Sequence, residues 1–298
     1  MCRFLAYSGK PVCLHDLLYG PEHSIIRQSH GSREQPQPLN ADGFGIGWYI
    51  PELSPFPGVF RSIQPAWSSE NLESISRLTR SGHIFAHVRA ASPGSAIAEL
   101  NCHPFRVDRF LWMHNGTVAG YVEFREWARR RLSRKAFSRL RGSTDSELLF
   151  ALFLDLWEET GASREPLDLA EALRKTLQLI TESLEGLGVH EPSNLNIAVT
   201  DGQTMVASRY SSIAGAKPAS LYLAGRICVV SEEGSVTFEE DESSKSVVVA
   251  SEPLSRDPVW REVPAGHIVV VPPSGDFEWT PAGRGTPAVS ARDGPGTL

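Results

Sequence analysis

Long hydrophobic runs are missing from this sequence. No stretch of about 18 consecutive apolar residues occurs, so no membrane-spanning helix is predicted. The four cysteines among 298 residues include no CxxC pair, which argues against a disulfide framework and a cysteine-rich zinc site. The N-terminus has only a very short apolar run between Arg3 and Lys10, which does not fit a signal peptide. Together these absences predict a cytoplasmic protein.

The sequence also lacks an excess of positive charge. It has 29 Lys and Arg residues against 35 Asp and Glu, and the formal net charge of −6 argues against generic binding to nucleic acids or membrane surfaces. The Arg-rich segment 125–141 is most typical of a solvated helix face. A rim that attracts acidic substrates or a partner protein is the alternative. Nucleic-acid binding ranks last, because no aromatic platform accompanies the arginines.

The histidines do not follow a metal-ligand pattern. His83, His87, His103 and His114 lie on several segments without the spacing of a metal site, so we expect neither a metal nor another cofactor. His87 and His103 are better interpreted as side chains that hydrogen-bond supporting loops. Cys13, Cys102 and Cys228 are interpreted as thiols buried in the core.

The order of predicted elements is strands, then helices, then strands. Strands are predicted over 2–8, 83–89 and 110–114, followed by helices over 122–140, 143–156 and 167–187. Shorter strands follow over 195–200, 205–210, 221–223, 247–250 and 268–271. This order favours an α+β fold over an alternating parallel sheet. One domain is predicted over 2–275, and residues 276–298, rich in Pro, Gly, Ala and Ser, are predicted to be a disordered tail.

Glycine occurs in two patterns that carry structural information. Gly43, Gly45 and Gly47 alternate with bulky residues, which predicts a strand with one bare face that another backbone or a ligand can approach. A dinucleotide-binding loop is rejected, because its glycines should lie between a strand and a helix. Asn115-Gly116 ends an apolar run and is a common hairpin-turn signal.

Cys2 is the strongest candidate for chemistry. Removal of Met1 would make it the N-terminal residue, so that its α-amino group lies beside its own thiol. These groups titrate at about 7.7–8.0 and 8.5, so the amine can accept the thiol proton near neutral pH. An N-terminal amine is a recognised base for such nucleophiles. Taken alone, however, Cys2 is more typical of a cysteine that fills the core.

Further motifs follow Cys2 along the chain. In order they are Asp42-Gly43-Phe44-Gly45, His87-Val88-Arg89, Asn101-Cys102-His103-Pro104, His114-Asn115-Gly116 and Ser143-Thr144-Asp145. In this combination the sequence resembles the class II glutamine amidotransferases, which are N-terminal-nucleophile hydrolases. The resemblance extends from Cys2 to the last predicted strand and is to the stand-alone bacterial branch of the family.

The resemblance implies a four-layer αββα fold and a role for each motif. Cys2 would attack the γ-amide carbon of a glutamine-like group, while the Asn115 side chain and the Gly116 N–H would form the oxyanion hole. Arg89 would bind the α-carboxylate of the substrate, and Asp145 its α-ammonium. Four residues are expected to support the site, namely His87, His103, Asp42 and Gly43.

Several functional alternatives remain open from the residues. The chain could be a complete hydrolase of a small γ-glutamyl compound, a glutaminase subunit that passes ammonia to a separate synthase, or an inactive scaffold. A partner protein or a homo-oligomer is compatible with each. Many members of the class have glycine after the nucleophile where this chain has Arg3, which leaves open whether Arg3 narrows the substrate channel.

Overall fold

The computed structural model of the chain describes residues 2–34, 38–92, 94–159, 166–232 and 235–283. Within these ranges the strands are β1 (Arg3–Cys13), β2 (Phe44–Trp48), β3 (Gly58–Ser62), β4 (Arg80–Val88), β5 (Phe105–Val107), β6 (Phe110–Thr117), β7 (Asn194–Thr200), β8 (Met205–Arg209), β9 (Tyr222–Gly225), β10 (Ile227–Glu232), β11 (Ser235–Glu240), β12 (Val247–Ala250), β13 (Arg261–Glu262), β14 (His267–Val271) and β15 (Glu278–Pro281). The α-helices are α1 (Leu14–Leu18), α2 (Ile25–His30), α3 (Glu70–Leu78), α4 (Tyr121–Arg131), α5 (Arg134–Phe137), α6 (Asp145–Glu159) and α7 (Pro166–Gly186).

The strands form two large antiparallel sheets. In the first sheet the strand order is β13-β9-β12-β1-β4-β2-β3, and in the second it is β15-β14-β8-β7-β6-β5. Strands β10 and β11 pair with each other as a separate hairpin. Strand β1 lies in the middle of the first sheet and β6 near one edge of the second, so both motif-bearing strands have neighbours on each side.

Alternating side chains on the strands build a four-layer arrangement. On β1, Phe4 and Ala6 belong to the core between the sheets, whereas Leu5 packs in the core that includes α1 and α2. On β14, Val269 faces the core between the sheets and Ile268 faces the core formed with α4, α6 and α7. Because successive side chains of a strand point to opposite faces, each sheet buries both of its faces. The predicted αββα fold is therefore confirmed.

The bare strand face predicted from the glycines is also present. Strand β2 pairs with β3 and β4, and a Cβ atom at Gly45 would collide with the backbone carbonyl of His103. A Cβ atom at Gly47 would lie 2.7 Å from the Leu111 side chain in the opposite sheet. The absent side chains thus let the segment that carries His103 approach the first sheet closely.

The hairpin interpretation of Asn115-Gly116 is wrong. Strand β6 continues through both residues, which pair with Asn196 and Leu195 of β7. The apolar pattern ends there, because Asn115 belongs to a polar site. Pairing with β7 and burial decide its conformation, and these override the local turn preference.

Two predicted boundaries also differ from the structure. The predicted helix over 122–140 divides into α4 and α5 at Leu132, and Ser133 begins the second helix by accepting a hydrogen bond from the Ala136 N–H at 3.1 Å. The predicted tail is wrong at its start, because β15 pairs with β14 and its Trp279 is buried. Residues 284–298 of that tail lie outside the described residues. No helix in the described ranges is long and apolar enough to cross a membrane.

Candidate active site

Cys2 lies immediately before β1, at the point where this strand meets the end of β4. Pairing of Arg3 with Val88 places Cys2 beside Ala90. The Ala90 N–H lies 3.4 Å from the Cys2 sulfur, and the sulfur lies 3.5 Å from the Ala90 carbonyl oxygen. Cys2 is half-buried and opens into a cleft of about 570 Å³. The candidate nucleophile therefore has access to a cavity of ligand size.

The cleft collects several of the predicted residues from distant parts of the chain. Those that line it are Cys2, Arg89, His103, Gly116 and Asp145. The others lie behind this lining and contact it: Asp42, Gly43, His87 and Asn115. Additional lining residues include His114, Tyr121 and Arg125, which were not predicted as part of the site.

The electrostatic setting of the thiol disfavours spontaneous ionisation. Burial raises the pKa of the Cys2 thiol, and the hydrogen bond from Ala90 together with the charges of Arg89 and Arg3 only partly offsets this effect. A buried thiolate needs such partners, because removal from water penalises the charged form. The thiol therefore requires a nearby base to become a nucleophile at neutral pH.

Arg89 follows β4 and is buried, with its guanidinium at the cleft. One terminal nitrogen, Nη2, donates to Ser95 Oγ at 2.9 Å and to the Ala96 carbonyl at 3.2 Å. The other, Nη1, donates to the Asp42 carbonyl at 3.4 Å. Within the described ranges no carboxylate forms an ion pair with Arg89. A planar guanidinium that is positioned by neutral oxygens keeps its charge available for a carboxylate ligand.

Asp42 and Gly43 support the segment that follows β4. The Asp42 carboxylate accepts a hydrogen bond from the Ala91 N–H at 2.8 Å, and the Arg89 N–H donates to the Gly43 carbonyl at 2.8 Å. Gly43 has a φ of +116°, and a Cβ atom there would lie 2.7 Å from Cys102 Sγ. Glycine is therefore required by both the backbone conformation and the lack of space.

Asn115 and Gly116 lie on β6, across the interior from Cys2. The Asn115 amide is fully buried and its Nδ2 donates to Ser251 Oγ at a long distance of 3.4 Å, while its Oδ1 has no partner among the described residues. Gly116 has no room for a side chain, because a Cβ atom would collide with the Asn194 carbonyl. The Asn115 amide therefore makes only one long, weak hydrogen bond within the described residues.

Asp145 begins α6 at the side of the cleft. Its carboxylate accepts hydrogen bonds from the Val118 N–H at 3.0 Å and the Ser146 N–H at 2.8 Å. His114 holds the next residue, since its Nδ1 lies 2.9 Å from Ser146 Oγ and its Nε2 lies 2.9 Å from the Asn194 carbonyl. These contacts fix the orientation of Asp145 while leaving acceptor capacity for a cationic group.

His87 and His103 pack against each other beneath the site, with ring centroids 4.2 Å apart. Burial lowers the pKa of His87 to about 3, and burial together with the neighbouring His87 lowers the pKa of His103 well below its ordinary value. Both rings are therefore neutral near pH 7. The interpretation that they hydrogen-bond supporting loops is not confirmed, because none of their four ring nitrogens has a hydrogen-bond partner in the part of the chain that the structure describes. Within the described residues, no group of three or more His, Cys, Asp and Glu side chains is arranged to hold a metal ion.

Arg3 does not line the cleft. Its guanidinium is fully buried, donates from Nη1 to the Cys2 carbonyl at 2.9 Å, and forms an ion pair with Glu252. Arg3 therefore leaves the channel width unaffected and holds the backbone of the candidate nucleophile. Glu252 and His114 are the supporting residues that sequence reasoning missed. The buried Arg3 charge requires an acid, but no local pattern identifies which one.

The cationic side chains of the Arg-rich segment 125–141 lie in two kinds of environment, the exposed surface and the lining of cavities. Several of its cations pair with acids at the surface, including Arg130 with Glu126, Arg131 with Glu159 and Lys135 with Glu158. Those pairs fit the solvated-face interpretation. Arg125 instead lines the active-site cleft, and Arg139 and Arg141 line a separate cavity.

Comparison with known proteins agrees with this fold, which is that of an N-terminal-nucleophile amidotransferase. Residues 24–292 match the family described as glutamine amidotransferases class-II, and the chain belongs to this family. Cys2 lies before the matched range. The chain is 38% identical over 292 residues to the probable glutamine amidotransferase DUG3 of Saccharomyces cerevisiae, covering 91% of this chain and 82% of that protein.

Other relatives support the same assignment. The chain is 28% identical over 276 residues to the gamma-glutamyl-hercynylcysteine sulfoxide hydrolase of Mycolicibacterium smegmatis, covering 91% of this chain and 96% of that protein. A glutamine aminotransferase class-II domain protein from Silicibacter pomeroyi has a TM-score of 0.61 at 28% identity, over 94% of this chain and 99% of its own. Glutamine phosphoribosylpyrophosphate amidotransferase from B. subtilis has a TM-score of 0.61 at 16% identity, over 95% of this chain and 50% of its own, and shows the fold alone.

Proposed function

We propose that the protein is a cysteine amidohydrolase that cleaves the γ-glutamyl amide bond of a small molecule through a thioester on Cys2. The observation that carries this proposal is the meeting of Cys2, Arg89 and Asp145 in one cleft of about 570 Å³. A γ-glutamyl group carries an α-carboxylate and an α-ammonium, and Arg89 and Asp145 supply the two complementary charges. The named hydrolase relatives act on a γ-glutamyl compound, which supports the same substrate class.

The first half of the reaction forms the thioester. The α-amine of processed Cys2 accepts the thiol proton, and the thiolate attacks the γ-carbonyl carbon of the substrate. The Asn115 side-chain amide and the Gly116 N–H stabilise the oxyanion of the tetrahedral intermediate. The protonated α-amine then transfers its proton to the departing nitrogen, the C–N bond breaks, and the amine product leaves.

The second half consumes one water molecule. The α-amine removes a proton from water, and the resulting hydroxide attacks the thioester carbon. Collapse of the second tetrahedral intermediate breaks the C–S bond and returns the proton to the sulfur. The products are glutamate and free enzyme, so that the overall reaction is hydrolysis of one amide bond.

A hydrolysis screen over γ-glutamyl compounds tests the proposal, with glutamate release as the readout. We expect release by the wild-type protein and none by Cys2→Ala, because alanine removes the nucleophile while leaving the fold. Acid-quenched intact-mass measurement should show a glutamyl adduct confined to chains with Cys2. A Cys2→Ala protein with wild-type turnover would refute the mechanism. The inactive-scaffold alternative lacks support, because Cys2, Arg89 and Asp145 all line the cleft.

A further inference from the structure

A second cavity lies at the side of the molecule where both sheets end. It has a volume of about 400 Å³ and is lined by the edge strands β3 and β5, by α6 and by residues 138–141. This volume falls in the range of small-molecule sites, about 300–1,000 Å³. None of the residues lining the active-site cleft lines this cavity. It is therefore a separate site.

Four arginines from three parts of the chain converge on this cavity, which we call the arginine pocket: Arg61 on β3, Arg106 on β5, and Arg139 and Arg141 after α5. Its floor is apolar and is formed by Phe105, Phe150 and Leu154. The whole chain has a formal net charge of −6, so this concentration of positive charge is local. The arginine pocket therefore combines guanidinium groups with an apolar surface.

Few acidic side chains in the arginine pocket neutralise its positive charge. Its one acidic lining residue, Glu147, already accepts hydrogen bonds from the backbone N–H groups of Arg141 and Gly142, both at 2.8 Å. Arg139 pairs with Glu158 at 3.1 Å, outside the pocket. Arg61, Arg106 and Arg141 form no ion pair with any residue in the described ranges.

Among these arginines, Arg61 has the surroundings that most favour binding of an anion. It is half-buried, and burial lowers the pKa of its guanidinium, with Cys102 and the carboxylates of Glu99 and Glu147 only partly opposing the effect. Its Nη1 donates to the Cys102 carbonyl at 3.3 Å, which orients the group. A desolvated and oriented guanidinium binds a phosphate or carboxylate more strongly than a freely hydrated one does.

We infer that the arginine pocket binds a small organic polyanion, with two or more phosphate or carboxylate charges on an apolar body. The arginines would hold the anionic groups bidentately, and the body would lie on Phe105, Phe150 and Leu154. Carboxylate is planar and phosphate is tetrahedral, but each presents a pair of oxygens that can accept two parallel N–H bonds from a guanidinium group. The two sources are therefore separated by the probes in the test.

The arginine pocket is linked to the active-site cleft through Asn101, which lies between them and lines neither cavity. Next to its lining residue Leu100, the Asn101 side chain accepts from the Ser143 N–H at 3.1 Å and donates to the Ala96 carbonyl at 3.0 Å. Arg89 donates to that same carbonyl at 3.2 Å. Occupation of the pocket is therefore expected to change the KM for the γ-glutamyl substrate, a consequence that rests on the proposed function.

Isothermal titration calorimetry on the full chain tests the site independently of activity. The probes are ATP for organic phosphates and trimesate for polycarboxylates, with adenosine as the uncharged body. We expect ATP, trimesate or both to bind and adenosine not to bind. Because hydrogen bonds between charged groups are the strong class, Arg106→Gln/Arg141→Gln should bind at least about tenfold more weakly. Both side chains are exposed, so the double variant should fold.

The matched control is Arg129→Gln/Arg130→Gln, which removes the same charge from an exposed part of α4 outside the pocket. It should bind within about twofold of wild type, since screening at about 100 mM salt limits distant effects. Absence of binding by both polyanions, or equal weakening in both double variants, overturns the proposed site. Binding without a change in KM overturns only its coupling to the cleft. Failure of γ-glutamyl hydrolysis itself would leave the calorimetric result intact.

Discussion

Arg3 and Glu252 form an ion pair of 2.8 Å between Nε and Oε1, with 0% and 1% of their side chains exposed. Arg3 also donates to the Cys2 carbonyl, and Glu252 accepts from the backbone N–H groups of Arg33 and Glu34 at 2.8 and 3.1 Å. The pair therefore ties the backbone of the candidate nucleophile to two distant segments. Burial of two charges is costly, so an arrangement of this kind is weak evidence for stability and better explained by positioning.

Replacement of Glu252 by Gln should make the free energy of unfolding depend less on pH in the acidic range. Burial alone would raise the pKa of Glu252, but hydrogen bonds from His23 and Arg33 and the charge of Arg3 lower it from 4.5 to about 2. A carboxyl pKa that is lowered by folding contributes stability above the unfolded pKa, which is lost as the pH falls through the folded pKa. The contribution at neutral pH is about 3 kcal/mol.

Urea unfolding at a series of pH values measures this effect. The difference in unfolding free energy between wild type and Glu252→Gln should be largest above about pH 5 and should shrink as the pH falls toward 2. A pH-independent difference would mean that folding does not lower the pKa of Glu252. Glu240→Gln is a suitable control, because Glu240 is exposed on β11.

Retention of Met1 should inactivate the enzyme. Met1 would convert the α-amine of Cys2 into an amide, which cannot act as a base, and burial raises the pKa of the thiol that this base must ionise. Intact-mass analysis of preparations with different extents of Met1 removal should show activity proportional to the fraction that begins at Cys2. Fully active protein that retains Met1 would show that another group accepts the proton.

Arg89→Lys should weaken substrate binding although charge is conserved. Lysine cannot reproduce two parallel N–H···O bonds to a carboxylate, and it also loses the contacts to Ser95 and Ala96. A hydrogen bond to a charged group contributes about 1.5–3 kcal/mol, which predicts a fall of roughly 10- to 150-fold in kcat/KM. Most of this should appear in KM if the contact is equal in ground and transition states.

Steady-state kinetics on a γ-glutamyl substrate provide the measurement. Arg27→Lys, at an exposed arginine on α2, is the matched control and should leave kcat/KM unchanged. Unchanged kcat/KM in Arg89→Lys would place the carboxylate site elsewhere in the cleft.

Asn115→Ala should lower kcat with little change in KM. Loss of one preorganised oxyanion donor typically costs about 10²–10³ in rate, and the ground-state carbonyl depends on it less. Asn196→Ala is the control, because Asn196 is buried, pairs with Asn115 across β6 and β7, and directs its amide to the Ala219 and Ser220 carbonyls. That variant should lose stability but retain kcat. Equal kcat losses in both variants would indicate a structural role.

Much of the fold could be predicted because side-chain alternation and helical spacing are properties of short stretches of sequence. The apolar runs around 195–200, 205–210 and 268–271 correspond to β7, β8 and β14. Strand β3 and helix α3 were not predicted. Strand β3 lies at the edge of the first sheet and has no fully buried side chain, so its apolar alternation is weak.

The order of motifs along the chain determined the family, and local side-chain alternation determined individual strands such as β7 and β14. The four-layer αββα arrangement was implied by the resemblance to that family. Only the tertiary structure decided that Asn115-Gly116 continues a strand, that Arg3 pairs with Glu252, and that Arg61 and Arg141 reach one cavity. Each of these depends on contacts between residues far apart in the chain. A buried polar group is stable only where a particular partner lies, and no local pattern specifies that partner.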